Sequence, residues 1–138
     1  MCGRVKHRGH DMSPNSTLYI RDVQGVRPLV WGTLDGYYNA RSEKLYTTWR
    51  RLSSNRCILE VENFTERNGV FIPNDSNLLE LGCIYNDNFF LVLTQQANQI
   101  VQSYHHRMPL IINGKEDYFM NENTIDFSIF NYQLELAS

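Results

Sequence analysis

The chain has 138 residues, 42% hydrophobic, 20% charged and 12% aromatic, with a net charge of -2. That length suits one domain with one core, and the aromatic content argues against a disordered protein. No apolar run approaches the ~20 residues that cross a bilayer, no apolar stretch follows the polar, basic N-terminus, and Cys2, Cys57 and Cys83 show no CxxC spacing for a disulfide framework or zinc site.

A cytoplasmic monomer without cofactor, metal or membrane partner is expected. The charge is uneven: residues 1–56 hold 10 Lys/Arg against 4 Asp/Glu, and residues 57–138 hold 3 against 11. The first part can offer a positive face to a polyanion, although mixed solvated charge gives the same count.

Taken in chain order, Met1-Cys2-Gly3-Arg4 comes first, because removal of Met1 makes Cys2 the N-terminal residue. An α-amine of pKa about 7.7 to 8.0 and a thiol of about 8.5 then sit on one carbon framework. Their natural target is an aldehyde: the amine condenses to an imine and the thiol closes a five-membered thiazolidine ring.

Residues 5–27 read as a loop with at most one short strand, and Pro28–Gly32 as a buried strand ending at glycine. Asp35-Gly36 is a tight turn, after which residues 37–41 run extended. Ser42 suits an N-cap, and Leu45, Trp49 and Leu52 fall at helical spacing, which predicts a helix over 42–52.

Residues 56–62 read as a strand, and Asn68-Gly69 marks a hairpin to residues 70–72. Residues 78–85 and 89–94 form a second hairpin around Asn86-Asp87-Asn88. Ala97, Ile100, Val101 and Tyr104 predict a second amphipathic helix, followed by a strand over 108–112 and an acidic, aromatic tail. The sum is a single α+β domain, mainly antiparallel strands in a barrel-like curved sheet with two or three flanking helices.

Several side chains have chemistry to offer beside Cys2. Asn39 stands at a strand end, where its amide either orients a ligand oxygen or serves the turn. Glu66 follows an apolar strand; a carboxyl buried there is a proton donor, and a solvated one is an ordinary hairpin residue. His105 and His106 flank a helix end, and at most one need transfer protons. Arg4, Arg41 and Arg107 suit either phosphate or structural ion pairs. Trp31 suits the core or a stacked base.

In order, Met1-Cys2-Gly3-Arg4, Trp31-Gly32, Asn39-Ala40-Arg41-Ser42-Glu43, Arg56-Cys57-Ile58, Phe64 with Glu66, Thr94 with Ala97-Asn98, and His105-x-Arg107-Met108-Pro109 resemble the SOS-response-associated peptidase family of abasic-site processing proteins. The resemblance implies binding of single-stranded DNA containing an abasic site and a thiazolidine crosslink through Cys2. It further implies that Asn39 positions the amine or the sugar, Glu66 transfers protons, and His105 works at the sugar as acid or base. Gly3, Arg4, Trp31, Arg41, Thr94 and Arg107 would contact DNA, and the same centre would remove Met1.

The chain is shorter than usual for the family before Asn39 and after Pro109, and residues 59–67 keep only the phenylalanine and glutamate of a more characteristic string. The size is similar to forms carried by phages or mobile elements, which implies a bacterial or phage-infected cell and a place near the nucleoid. Two other classes stay open: an N-terminal-nucleophile amidohydrolase, and a non-enzymatic DNA-binding module.

Overall fold

The computed structural model describes residues 3–137. Arg8 and Gly9, at φ +51° and +81°, make the two-residue turn between β1 (Val5–His7) and β2 (His10–Met12). Left-handed φ at both central positions matches the twist of the flanking strands. β3 (Thr17–Asp22) and β4 (Gly25–Trp31) form the next hairpin.

Residues 5–27 therefore hold three strands and the start of a fourth, where one at most was expected. The signal was diluted because these strands present one apolar face: Leu18 and Ile20 are buried while Thr17 and Tyr19, which alternate with them, are exposed.

β5 (Asn39–Arg41) leads into two 3-10 turns, Ser42–Lys44 and Arg50–Leu52, in place of the predicted helix. Thr47 and Thr48 lie between them, and their branched side chains favour helix poorly. The Ser42 hydroxyl caps no backbone and donates instead to the Glu43 carboxylate at 3.1 Å.

β6 (Arg56–Val61), β7 (Asn63–Glu66), β8 (Gly69–Pro73), β9 (Leu79–Tyr85) and β10 (Phe89–Gln96) follow. The second predicted helix is a single turn, α1 (Gln99–Gln102), capped by Asn98, whose Oδ1 accepts from Val101 N–H at 3.0 Å. β11 (Arg107–Pro109) precedes α2 (Glu116–Asn121) and β12 (Leu134–Leu136), so the tail contributes both a helix and a strand.

β4, β3, β6, β9 and β10 pair in that order, and β10 returns to β4, closing a curved five-stranded ring. The β10–β4 and β10–β5 pairings are parallel, and every other named pairing is antiparallel. A second sheet runs β12-β8-β7-β1-β2. The fold is α+β, built on a curved sheet.

The register of β10 organises the site. Along one edge β4 pairs with Phe89 and Phe90, and β5 then takes over, Val92 opposite Asn39 and Thr94 opposite Arg41. Along the other edge β9 gives way to β11, Thr94 opposite Pro109 and Gln96 opposite Arg107. The second half of β10 thus joins the Asn39–Arg41 segment to the Arg107–Pro109 segment.

Two buried clusters flank the ring strands. Trp31, Cys57, Leu59, Leu81, Cys83, Phe90 and Val92 join Val5, Phe64 and Phe71 of the second sheet in one. Ile58, Ile84, Leu91 and Leu93 pack with Phe119 of α2 and with Phe130 in the other. Strands buried on both faces explain the unbroken apolar runs of β6, β9 and β10. Arg56 anchors the outer layer, donating to the carbonyls of Ser53 and Phe119, both at 2.9 Å, and to Asn123 at 3.2 Å.

Candidate functional site

The chain reaches β1 beside the end of β7. Thr65 N–H donates to the Arg4 carbonyl at 3.0 Å, just before Glu66. A Cβ at Gly3 would lie 2.7 and 2.8 Å from the Pro14 ring carbons and 3.2 Å from Tyr38 Cε2. Only glycine fits, and the reason is the close approach of Pro14 and Tyr38. Cys2 and Met1 lie outside the described residues.

Glu66 is completely buried. It pairs across the hairpin with Gly69, and Arg67, at φ +52°, carries the left-handed turn expected of Asn68-Gly69. Gly69 answers a different need, since a Cβ there would meet Tyr104 ring carbons at 2.8 and 2.9 Å. Tyr104 also stands edge-on to Phe71, with ring centroids 5.4 Å apart.

Contacts therefore run between residues that stand next to the predicted catalytic positions in sequence. A side chain at Gly3 would meet Tyr38, beside Asn39. Arg4 bonds Thr65, beside Glu66. A side chain at Gly69, opposite Glu66, would meet Tyr104, beside His105. Asn39 is half-buried in β5, paired with Val92.

His105 is half-buried between α1 and β11, and its ring stacks on His106 at 4.5 Å. Arg107 N–H donates to His105 Nδ1 at 3.0 Å, and the Arg107 carbonyl lies 3.2 Å from the same nitrogen. The backbone amide can only donate, so the neutral ring accepts at Nδ1 and carries its hydrogen on Nε2. Burial, with the charges of Arg67 and Arg107, holds the His105 pKa below its ordinary value. A neutral imidazole offering an Nε2 donor is the form this geometry favours near neutral pH.

The predicted DNA contacts divide into two groups. Arg4 and Arg41 are exposed. Arg107 is 7% exposed: Nη1 donates to Glu43 Oε2 at 2.6 Å, and Nη2 donates to Glu43 Oε1 at 2.7 Å, Thr94 O at 2.9 Å and Thr94 Oγ1 at 3.1 Å. This bidentate pair holds the Glu43 carboxyl down at about 2. Arg107 and Thr94, itself buried, fasten β11 and the segment after β5 to β10.

Trp31, another of the expected DNA contacts, lies inside the core. Its indole is wholly buried, stacked on Phe90, and donates from Nε1 to the Tyr38 carbonyl at 2.9 Å. A satisfied, enclosed indole has no face for a base. Cys57 and Cys83 are buried register partners across β6 and β9, and burial raises the Cys57 thiol well above its usual range.

Arg67 was missed from the sequence. It is exposed, sits in the turn beside Glu66 and is felt by His105. Its one signal was position next to a candidate acid. Among the described residues no group of three or more His, Cys, Asp or Glu side chains is placed to hold a metal ion, and no helix is long and apolar enough to cross a membrane.

No protein-family model and no curated protein matches the chain. Among solved structures, the X-ray crystal structure of a protein from Bacteroides thetaiotaomicron, a structural-genomics target, is similar over 88% of this chain and 72% of its own, with a TM-score of 0.73 and 17% identity. At that identity the likeness shows a shared fold.

Proposed function

We propose that this protein traps abasic sites in single-stranded DNA as a covalent thiazolidine, through Cys2 exposed by removal of Met1. The observation that carries the reading is Glu66, a fully buried carboxyl at the end of β7, beside the backbone that leads directly to residue 2. The ordered motifs that resemble the abasic-site processing family support it. So do the contacts linking the neighbourhoods of Asn39, Glu66 and His105.

In the proposed sequence the Cys2 amine adds to the C1′ aldehyde of the opened sugar, giving a carbinolamine. Glu66 protonates the departing hydroxyl, water leaves and an iminium ion remains. The Cys2 sulfur then bonds to the same carbon and its proton is released, so aldehyde plus aminothiol yields thiazolidine plus one water. Asn39 orients the amine or the sugar. His105 donates from Nε2 to a sugar oxygen, while Arg4, Arg41 and Arg67 neutralise flanking phosphates.

The test is incubation with single-stranded DNA carrying one abasic site, resolved on a denaturing gel. A shifted band lost in Cys2→Ala is expected, formed more slowly by Glu66→Gln. The absence of any Cys2-dependent band refutes the reading.

A further inference from the structure

A basic and aromatic surface lies outside the residues given to the lesion. Between Trp31 and Asn39 the chain makes an exposed turn in which Gly36 N–H donates to the Thr33 carbonyl at 3.2 Å. Leu34 at its tip is 109% exposed, and Tyr37 behind it is 56% exposed. The Tyr37 ring stands edge-on to Trp49, 5.6 Å between centroids at 79°, which ties this turn to the 3-10 segment that follows β5.

Beside Trp49 is an open groove of about 350 Å³ lined by Thr47, Thr48, Trp49, Arg50, Arg51 and Leu52. Arg41, Lys44, Arg50 and Arg51 are all exposed. The acids of the same stretch are engaged: Glu43 with Arg107, and Asp35 with the Thr33 hydroxyl. Arg50 and Arg51 in the groove, with Lys44, whose carbonyl accepts from Trp49 N–H at 3.1 Å, complement a polyanion with flat apolar bases, whereas an apolar protein partner would leave those cations without counter-charge.

We infer that Tyr37 and Trp49, with Arg50 and Arg51, form a second DNA contact on which a base of undamaged single strand stacks beyond the lesion site. The choice of DNA rests on the reading above. Tyr37 and Trp49 stand on either side of Asn39 and Arg41 in the chain, so a strand bound at the proposed lesion residues would pass onto this surface within segment 37–51. Tyr37 is not needed for the core, and Trp49 borders the outer cluster with part of its ring open.

The experiment is titration of the full chain with undamaged oligothymidine of about 15 nucleotides, a length within the usual single-strand site range. Trp31 is fully buried, so stacking quenches the emission of Trp49. Quenching is expected in the parent protein, and the anisotropy of end-labelled oligothymidine, which needs no tryptophan, should show Kd weakened about tenfold in Tyr37→Ala and in Trp49→Leu. Arg50→Ala/Arg51→Ala should flatten the slope of log Kd against log salt by about 1.4, at about 0.7 for each phosphate on a single strand.

Tyr37 is exposed, so its removal leaves folding intact, which an unchanged melting temperature verifies. Wild-type affinity in both aromatic variants, or no quenching of the parent protein, overturns the inference. A platform that binds oligothymidine in a chain forming no Cys2-dependent crosslink sinks the proposed function alone; crosslinking with unaltered variant affinity sinks the platform alone.

Discussion

Arg107 separates two readings of one side chain, as a phosphate clamp or as a brace. Arg107→Met keeps the aliphatic length and removes the guanidinium, leaving the Thr94 carbonyl and hydroxyl without their donor and Glu43 without its counter-charge. Breaking a buried ion pair costs about 3–5 kcal/mol. The Glu43 side chain is 56% exposed, so solvent screens its share, and about 2–3 kcal/mol is the reasonable figure for the whole change.

For a chain of this size that lowers Tm by about 6–12 °C. Glu43→Gln alone should cost about 1 kcal/mol. In the double-mutant cycle the two changes should couple by about 1–2 kcal/mol, measured by urea denaturation.

The pH dependence has a definite sign. The folded carboxyl is depressed from 4.5 to about 2, so the pair's contribution is complete above 4.5 and is lost as pH falls toward 2. Coupling below about 0.3 kcal/mol, within the usual additivity error, with a marked loss of DNA affinity in Arg107→Met, would refute the bracing role and restore the phosphate contact.

Two further outcomes follow from single contacts. Gly3→Ala drives a methyl group into the Pro14 ring, so crosslinking at saturating DNA should slow at least tenfold, by about 1.4 kcal/mol, while the melting temperature of the rest of the fold changes little; a wild-type rate on the same gel assay removes the positioning role. Burial, then the hydrogen bond that the protonated Glu80 carboxyl donates to the Glu116 carboxylate, push Glu80 up to about 8 despite Arg21 at 2.8 Å. The folded chain then keeps a proton the unfolded chain has released, so stability should fall as pH rises from 4.5 through 8 and Glu80→Gln should flatten that slope, whereas identical urea midpoints across the window in wild type would contradict it.

The local features were legible in the sequence because they depend on neighbours along the chain. Asp35-Gly36 and Asn86-Asp87-Asn88 are turns because small polar residues tolerate those backbone angles, and the β9–β10 hairpin follows from two apolar runs around one of them. Cys2, Asn39, Glu66 and His105 are candidates that an ordered set of motifs proposes. The α+β class came from the same local patterns.

What only tertiary structure decided rests on partners far apart in sequence. Glu43 and Arg107 are separated by 64 positions, and nothing near either residue announces that each neutralises the other. Closure of the ring depends on the parallel pairing of β10 with β4 and then β5, which no hairpin signal reports. The periodicity of residues 42–52 and 97–104 was real, but branched residues, a cap drawn into a salt-bridge network and the bond from Ala97 N–H to the distant His106 carbonyl reduced two predicted helices to short turns. Periodicity reports which face is apolar; burial on both faces, and the enclosure of Trp31 it brings, are settled by what packs there.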